Sequence, residues 1–201
     1  MIKNIFWDFD GVLMNSNAVR DKGFEMVLME FPPEQVEKLM QFHRENGGWS
    51  RYVKFRHFFE EIRNESVSKE DIDRWASKFS EVMLKNLIKA ELLIEETLSF
   101  VKRNHEKFNF HIVSGSDGNE LRTICKGVDI EKYFITIQGS PTPKTKLVAD
   151  ILESNDYKPK ESILIGDSKN DYDAAIDNGL FFKGYNNPQV EKLTTYDFEI
   201  S

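Results

Sequence analysis

The fold follows from residues 5–13, which read Ile5-Phe6-Trp7-Asp8-Phe9-Asp10-Gly11-Val12-Leu13. An apolar run that is broken off by two carboxylates and a glycine is typical of a buried strand that ends in a loop. Unbroken hydrophobicity favours a central strand of a parallel sheet, because helices cover both faces of such a strand. Ligands of open α/β sheets bind just beyond the carboxyl ends of these strands, where Asp8 and Asp10 lie. Aspartate and glycine also form ordinary turns, so this pair alone does not establish a function.

A second acidic cluster lies far downstream, in residues 163–171, which read Ile163-Leu164-Ile165-Gly166-Asp167-Ser168-Lys169-Asn170-Asp171. This is another apolar strand that stops at a glycine and carboxylates. On its own, the segment after the strand also fits the start of an N-capped helix. Together with Asp8 and Asp10 it predicts one shared metal centre, and a site rich in aspartate oxygen atoms suits a hard cation such as Mg²⁺.

Composition and net charge limit the classes of protein to which this chain can belong. The 201 residues suffice for one sizeable core, or for a core with a small second domain. The formal net charge of −7 at pH 7 disfavours nucleic acid as a partner, since binding it normally requires a basic face. No stretch approaches the ~20 apolar residues of a membrane span, and no secretion signal is visible before the first strand, so we expect neither a membrane anchor nor secretion. The single Cys125 cannot form an internal disulfide, which predicts a cytoplasmic location.

The order of elements predicts an α/β fold, a Rossmann-like parallel sheet with an inserted α-helical cap. Apolar residues repeat at helical spacing up to about Leu93, and helices alternate with strands from about Ile94 onward. Helices between strands imply right-handed crossovers and a parallel sheet. Because the first strand belongs to this sheet, the helical block is an insertion over the strand ends. We predict a catalytic core of residues 1–14 and 95–201 and a cap of residues 15–94.

The predicted cap is a small helical bundle with an aromatic core. Its first helix has an apolar face that runs to Phe31, and the second begins at Pro33, because proline is tolerated in a first turn. Ser68 is the expected N-cap of the fourth helix, with Asp71 three residues later. Hinges are expected near residues 14–17 and 91–96. The later strands of the core are predicted at residues 108–113, 134–137, 163–165 and 180–182.

Four motifs, taken in order along the chain, resemble those of a known family. They are Asp8-x-Asp10-Gly11-Val12-Leu13, Ser114 at the end of an apolar strand, Lys144, and Gly166-Asp167-Ser168-x-x-Asp171. Each motif is loose alone, but the ordered set spans nearly the whole chain and is similar to that of the haloacid dehalogenase-like superfamily. The resemblance implies an enzyme that depends on Mg²⁺ and transfers a phosphoryl group through an aspartyl-phosphate.

The resemblance also implies a role for each carboxylate. Asp8 is the predicted nucleophile, which can form an acyl phosphate and so divide one displacement into two. Asp10 is predicted to protonate the leaving oxygen and later to activate water. Asp8, Asp167 and the backbone carbonyl of Asp10 are the predicted ligands of Mg²⁺. Asp171 would face the site from a helix that starts near Ser168, and it is predicted to be associated with the metal, through water or behind its direct ligands.

The predicted phosphoryl site combines polar groups and one cation. Ser114 follows an apolar strand, and Gly115 lets the backbone turn close to a ligand, with Gly11 expected at the same site. Lys144 opens a predicted helix, where its ammonium would balance Asp8 and the phosphoryl oxygen atoms. Lys146 competes for this role, although the position of Lys144 relative to the apolar face of the helix resembles the family's third motif more closely.

One loop of the predicted cap resembles the substrate loop of the β-phosphoglucomutase-like branch. It reads Gly48-Trp49-Ser50-Arg51. The resemblance implies that Gly48, Ser50 and Arg51 bind substrate, with the guanidinium of Arg51 holding a remote phosphate or carboxylate. The alternative interpretation is a helix boundary that carries a surface arginine.

The sequence therefore predicts a Mg²⁺-dependent phosphatase of a small phosphorylated metabolite, such as a sugar phosphate or a phosphoglycolate-like acid. A sugar phosphomutase of the same family is the nearest alternative. A binding or regulatory protein that kept the fold and lost activity is an alternative of another class. We expect a small-molecule substrate, no nucleic-acid or membrane partner, and a monomer or weak homodimer. Val12 and Asn15 replace the Thr and Asp of many phosphatases in the family, which leaves the subfamily open.

Overall fold

Five parallel strands form the central sheet in the computed structural model, which describes residues 1–200. In chain order they are β1 (Asn4–Trp7), β2 (Asn109–Asp117), β3 (Thr136–Ser140), β4 (Ser162–Gly166) and β5 (Phe181–Gly184). Their order across the sheet is β3-β2-β1-β4-β5, so β1 lies at the centre, between β2 and β4. This arrangement confirms the predicted parallel α/β fold.

Nine α-helices are found within residues 1–200, and four of them lie in the predicted insertion, residues 15–94. These four are α1 (Asn17–Val27), α2 (Pro33–Glu45), α3 (Arg51–His57) and α4 (Lys69–Leu87), with a π-helical turn at Phe58–Ile62. The others are α5 (Glu95–Asn104), α6 (Gly118–Gly127), α7 (Lys144–Ser154), α8 (Lys169–Asp177) and α9 (Pro188–Glu191). Short 3₁₀ turns occur at Ala90–Leu92, Glu131–Tyr133 and Pro159–Glu161.

Burial on both faces explains why β1 is continuously hydrophobic. Ile5 and Trp7 belong to the larger apolar cluster, on the side of the sheet that α5 and α6 cover. Phe6 points to the opposite side, where it packs with Val148 of α7 and Ala174 of α8. The site that follows β1 is therefore built on a strand with no freedom to shift its register, because a one-residue slip would exchange its two buried faces.

Aromatic side chains form the centre of the helical block, as the helical spacing predicted. The ring centroids of Phe24 and Phe79 lie 4.5 Å apart, and those of Phe24 and Phe55 lie 5.4 Å apart. At the start of α4, the Asp71 N–H donates to Ser68 Oγ at 3.0 Å, and the Asp71 carboxylate accepts from the Ser68 N–H. The predicted N-cap is thereby confirmed as a reciprocal capping box.

Several elements differ from their predicted bounds, and β3 covers Thr136–Ser140 rather than residues 134–137. Helix α1 ends at Val27 rather than continuing to Phe31, whose N–H donates to the Leu28 carbonyl in a turn. Pro32 disfavours a helical conformation for the residue before it, so the chain leaves the helix early. Strand β2 extends past residue 113 to Asp117, because its pairing with β3 resumes after an irregularity that follows Val113. Ser114 therefore lies within β2 rather than after it.

The two connections between the sheet and the helical block run side by side. The Asn15 N–H donates to the Leu92 carbonyl at 2.7 Å, and the Ile94 N–H donates to the Leu13 carbonyl at 3.0 Å. Two adjacent connections of this kind are suited to act as a hinge. The hinge itself, and the division into core and cap at residues 14 and 95, remain predictions. We refer to residues 15–94 as the cap. Within residues 1–200, no helix is long and apolar enough to cross a membrane.

The capping box of α4 gives a stability prediction for the cap. Replacing Ser68 with Ala leaves the N-terminal N–H groups of α4 without their side-chain acceptor, so the free energy of unfolding should fall by about 1 kcal/mol. Ser77→Ala is the matched control, because Ser77 is exposed inside the same helix and should stay within about 0.5 kcal/mol of wild type. Urea unfolding measures both. Equal effects of the two substitutions would contradict a specific capping contribution.

Candidate active site

Three carboxylates converge beyond the carboxyl ends of adjacent strands. Asp8 follows β1, and its N–H donates to the Ile165 carbonyl of β4 at 2.9 Å. Asp167 follows β4, and Asp171 lies in the first turn of α8. One carboxylate oxygen from each of Asp8, Asp167 and Asp171 lies within 4.8 Å of the others. Parallel pairing of β1 with β4 thus brings together the two acidic motifs that are far apart in the sequence.

Lys144 is the cation of this cluster. Its Nζ lies 2.9 Å from Asp8 Oδ1 and forms a second ion pair with Asp171, and its side chain is 1% exposed. The position at the start of α7, directly after Pro143, directs the side chain across the strand ends. Lys146 instead is exposed and pairs with Asp150 at 2.8 Å. The structure therefore places Lys144, and not its competitor, beside the predicted nucleophile.

Two buried carboxylates, a half-buried one and a single ammonium leave the cluster with excess negative charge. Burial and then the charge of Asp171 raise the pKa of Asp8 well above its ordinary value. The same two causes raise the pKa of Asp167 to about 7. Burial opposes the charged form of Lys144, but Asp171 and Asp8 more than offset it, so the pKa of Lys144 is raised and the ammonium persists. An additional cation would relieve the repulsion among the carboxylates.

The donor atoms of this cluster fit a hard divalent cation. Asp171 Oδ2 accepts hydrogen bonds from the N–H and hydroxyl of Ser168, and its Oδ1 pairs with Lys144. Asp171 is therefore fully engaged and holds Lys144 and the start of α8. Asp8 Oδ2 and Asp167 Oδ1, in contrast, accept no hydrogen bond from any residue within 1–200. Two unshared carboxylate oxygen atoms in a negatively charged cleft are ligands that Mg²⁺ prefers.

The side chain of Asp10 is held away from the other carboxylates. Its Oδ1 accepts from Arg20 Nε at 2.5 Å and from the Ser16 hydroxyl, and its Oδ2 accepts from Ser116 Oγ at 2.6 Å. Burial alone would raise the pKa of Asp10, but Arg20 and the Ser116 and Ser16 hydroxyls more than compensate, so the pKa is lowered. Metal binding through the Asp10 backbone carbonyl stays a prediction.

The predicted phosphoryl-binding residues surround the carboxylates. Ser114 is buried, and its Oγ accepts from the Ser116 N–H at 3.1 Å. Gly11 has a φ of +75°, and a Cβ there would overlap the carboxylate of Asp167. A Cβ on Gly115 would overlap the carbonyl oxygen of Gly48 in the cap. Glycine is thus required at positions 11 and 115 for the close approach of neighbouring groups, which is a role the sequence could only suggest.

The loop of residues 47–50 lies against the core. The Gly48 carbonyl accepts from Asn170 Nδ2 at 3.0 Å, and Ser50 is the N-cap residue of α3. Arg51 donates to Glu120 of α6 through both terminal nitrogens, at 2.5 and 2.8 Å, and to Ser80 Oγ at 2.7 Å. The alternative interpretation is correct about the helix boundary, because α3 begins at Arg51, but wrong about a surface arginine, because the Arg51 side chain is 3% exposed. Substrate binding by Arg51 stays a prediction, and Glu120 already compensates its charge.

The carboxylates open into a cavity of about 620 Å³ between the cap and the strand ends. Its walls include three residues that the sequence did not single out: Arg20, Lys54 and Ser116. Ser116 follows the predicted Ser114-Gly115 pair, so its hydroxyl was a detectable candidate. Arg20 and Lys54 lie on amphipathic helices, where a buried cation cannot be distinguished from a solvated one by spacing alone.

A family model described as haloacid dehalogenase-like hydrolase matches residues 5–184 of the chain. The match covers most of the 201 residues, and the chain therefore belongs to the haloacid dehalogenase-like hydrolases. This membership confirms the family that the four motifs indicated, and with it the prediction of an enzyme. No curated protein matches the sequence.

Solved structures share the fold over nearly the full chain. β-Phosphoglucomutase from Clostridium difficile has a TM-score of 0.74 and 19% identity, over 99% of this chain and 91% of that one. A protein described as a predicted phosphoglycolate phosphatase from Haemophilus somnus 129pt has a TM-score of 0.67 and 19% identity, over 91% and 84%. A Bacillus subtilis HAD-hydrolase bound to magnesium has a TM-score of 0.71 and 14% identity, over 98% and 95%. At these identities the likeness shows the fold alone.

The raised carboxyl pKa values predict how stability depends on pH in metal-free protein. The folded state keeps a proton on Asp167 between the ordinary pKa of 3.8 and about 7, whereas the unfolded state releases it. Stability should therefore fall as the pH rises through this range. Asp167→Asn removes one half-buried charge that lies close to Asp171, so at about pH 8 the metal-free variant should be more stable than wild type by about 1–3 kcal/mol.

Urea unfolding with EDTA and with Mg²⁺ tests this prediction. Mg²⁺ should stabilise wild type at about pH 8 and should stabilise Asp167→Asn much less, because the variant lacks a carboxylate ligand. Asp177→Asn, an exposed substitution in the same helix as Asp171, should behave like wild type. Equal stabilisation of all three proteins by Mg²⁺ would place the metal elsewhere.

Proposed function

We propose that the protein is a Mg²⁺-dependent phosphatase that hydrolyses a small phosphorylated metabolite through a phosphorylated Asp8. The observation that carries this proposal is the buried Lys144, shared between Asp8 and Asp171 at the end of the central strand. The ammonium of Lys144 opposes the burial and the repulsion by Asp171 that raise the pKa of Asp8, and bound Mg²⁺ would add a second positive charge that favours the ionised carboxylate. Such a carboxylate is a nucleophile suited to phosphorus, and the family membership supports the assignment.

Asp8 and Asp167 would hold the metal ion, since each has an oxygen that accepts no hydrogen bond from residues 1–200. Bound Mg²⁺ would neutralise charge on the phosphoryl oxygen atoms and on the carboxylates around them. Asp171 would act by fixing Lys144 and the N-terminus of α8 rather than by direct ligation. Ser114 and the turn at Gly115 would complete the binding of the phosphoryl group.

In the first half of the proposed reaction, an oxygen of Asp8 attacks phosphorus and the bond from phosphorus to the ester oxygen breaks. Lys144 stabilises the charge on the transferring group. The leaving oxygen takes a proton from the carboxyl group of Asp10. Because Arg20 holds Asp10 in its ionised form, protonation of Asp10 requires that this ion pair loosen when substrate enters.

In the second half, water attacks the phosphorus of the acyl phosphate, and its proton passes to the carboxylate of Asp10. The bond to Asp8 breaks, inorganic phosphate leaves, and Asp8 returns to its starting state. The ionised Asp10 of this structure suits the role of base in this step. The hydrogen bonds from Ser16 and Ser116 fix its orientation.

The cavity supports a small substrate. Residues 47–50 of the cap close over the strand ends, and a volume of about 620 Å³ admits a phosphorylated sugar or acid more readily than a folded protein. A sugar phosphate or a phosphoglycolate-like acid is our proposed substrate class. The similar structures named above bear the names of a phosphomutase and a predicted phosphoglycolate phosphatase, which agree with this class. We further propose a cytoplasmic protein, monomeric or weakly dimeric, that binds no nucleic acid.

Removing the nucleophile should abolish turnover. Asp8→Asn cannot form the acyl phosphate, so kcat with p-nitrophenyl phosphate and Mg²⁺ should fall by at least about a thousandfold. Asp150→Asn, an exposed substitution on α7, is the control and should keep wild-type activity. EDTA should abolish the wild-type rate, and Mg²⁺ should restore it. Unchanged turnover in folded Asp8→Asn protein would contradict the covalent mechanism.

Product analysis distinguishes the hydrolase from a phosphomutase. We expect inorganic phosphate to appear in step with the loss of substrate, without any bisphosphate activator. Hexose monophosphates are suitable probes, because both products can be quantified by chromatography. Conversion of a sugar 1-phosphate to its 6-phosphate with little phosphate released would make the mutase the correct assignment. Binding of phosphorylated compounds with no chemical change would favour a regulatory protein.

A further inference from the structure

A buried lysine in the cap has unused hydrogen-bonding capacity beside the cavity. Lys54 lies one helical turn after Arg51, is 3% exposed, and lines the cavity that contains Asp8. Within residues 1–200 its ammonium forms one hydrogen bond, to His43 Nδ1 at 2.7 Å. His43 in turn is 2.8 Å from Asp21 through Nε2. Because an ammonium carries three donors, two of them have no acceptor among residues 1–200.

The neighbouring carboxylates are already engaged by guanidinium groups. Arg20 donates to Asp10 and, at 3.0 Å, to Glu120, and Arg51 donates to Glu120 through both terminal nitrogens. Asp21 lies behind His43 and is partly exposed to solvent. The terminal nitrogen Nη2 of Arg20 is itself buried and has no hydrogen-bond partner within residues 1–200. This wall of the cavity therefore has more donors than acceptors.

The lowered pKa values of Lys54 and His43 agree with a shortage of anionic partners around them. Burial and then the charge of Arg20 lower the pKa of Lys54 to about 7. Burial and then the charge of Lys54 lower the pKa of His43 to about 4, so the imidazole is neutral and its Nδ1 accepts from the ammonium. A buried ammonium with an incomplete set of acceptors is costly, and an anion at this position would remove that cost.

We propose that Lys54 binds a second anionic group of the substrate, a carboxylate or a second phosphate, while the phosphate ester lies at Asp8. This inference rests on the proposed function for the place of the first phosphate. It moves the remote anion contact from Arg51, whose charge Glu120 compensates, to a lysine that contacts no carboxylate in the described part of the chain. The substrate class is therefore a phosphate ester that carries at least one further negative charge.

Paired ligands that differ in one charged group test the inference by binding alone. We would use the full-length Asp8→Asn protein with Mg²⁺ and isothermal titration calorimetry. The carboxylate pair is 3-phosphoglycerate and glycerol 3-phosphate, and the phosphate pair is xylulose 1,5-bisphosphate and xylulose 5-phosphate. In at least one pair the more anionic member should bind more tightly. The pair that shows this preference identifies the second group as carboxylate or phosphate.

Variants of Lys54 then test whether this residue is the cause. Introducing Lys54→Gln into the Asp8→Asn protein should reduce the preference for the more anionic member of the pair by about 10- to 100-fold. This is the range expected for a hydrogen bond to a charged group. Glutamine keeps a donor for His43 Nδ1, so the cap retains its local support. Lys54→Arg should retain most of the preference. Lys69→Met, at an exposed lysine of the cap that pairs with Asp73, is the matched control and should retain all of it.

The outcomes are distinct. An unchanged anion preference in Lys54→Gln protein, shown by thermal unfolding to be folded, would overturn the inference, as would the absence of any preference in both ligand pairs. If Lys54→Gln does not fold, loss of the preference in Lys54→Arg would count against it. Wild-type turnover is measured separately. A protein that hydrolyses no phosphate ester but keeps a preference dependent on Lys54 would refute the proposed phosphatase and leave this binding site intact.

Discussion

The ion pairs of Lys144 with Asp8 and Asp171 are the interaction on which the site depends. Three carboxylates with oxygen atoms within 4.8 Å of one another would repel strongly in a buried environment. A single ammonium, buried between two of them, makes their proximity tolerable. Removing one partner from a buried charge cluster typically costs about 3–5 kcal/mol, so this lysine is as much a structural residue as a chemical one.

The surrounding fold can be understood as the means of holding that lysine and those carboxylates in place. Parallel pairing of β1 with β4 sets Asp8 beside Asp167. The capping box at the start of α8 fixes Asp171, whose two oxygen atoms have different partners, Ser168 on one side and Lys144 on the other. The N-capped helix start is therefore confirmed for the Gly166-Asp167-Ser168 segment, and the metal centre that the same segment predicts stays a prediction.

A second charged network joins the cap to the core. Glu120 of α6 accepts from Arg20 of α1 and from Arg51 of α3, and Arg20 also holds Asp10. Opening of the cap would separate these buried charges, so the network favours the closed arrangement and links it to the orientation of Asp10. If the predicted hinge opens, Arg20 would move away with the cap, and Asp10 would lose one of the contacts that orient it.

Much of this arrangement could be predicted from the sequence, for identifiable reasons. The burial of β1 on both faces is visible in the sequence as an unbroken apolar run. The capping box of α4 can be predicted because Ser68 and Asp71 are only three residues apart. The pairing of Arg51 with Glu120, in contrast, joins positions 69 residues apart, and no local pattern reveals it. The apolar pattern ends β2 too early, because pairing with β3 resumes after an irregularity that depends on the partner strand.

Buried cations were the hardest feature to predict. A lysine on an amphipathic helix is normally solvated, and periodicity cannot separate Lys54 or Lys144 from their exposed neighbours. Lys144 was preferred to Lys146 only through resemblance to a family motif, whereas the structure separates them by burial, at 1% against 65% exposure of the side chain. Lys54 had no motif to distinguish it and was missed.

The claim that Asp8 becomes phosphorylated can be tested directly by chemical trapping. The protein would be mixed with Mg²⁺ and p-nitrophenyl phosphate, quenched, and reduced with borohydride, which converts an aspartyl-phosphate to homoserine. Peptide mass spectrometry then locates the modified residue. Our account predicts homoserine at position 8, dependent on substrate and absent when EDTA replaces Mg²⁺. Turnover of substrate with no modification at Asp8, or with modification at another carboxylate, would contradict it.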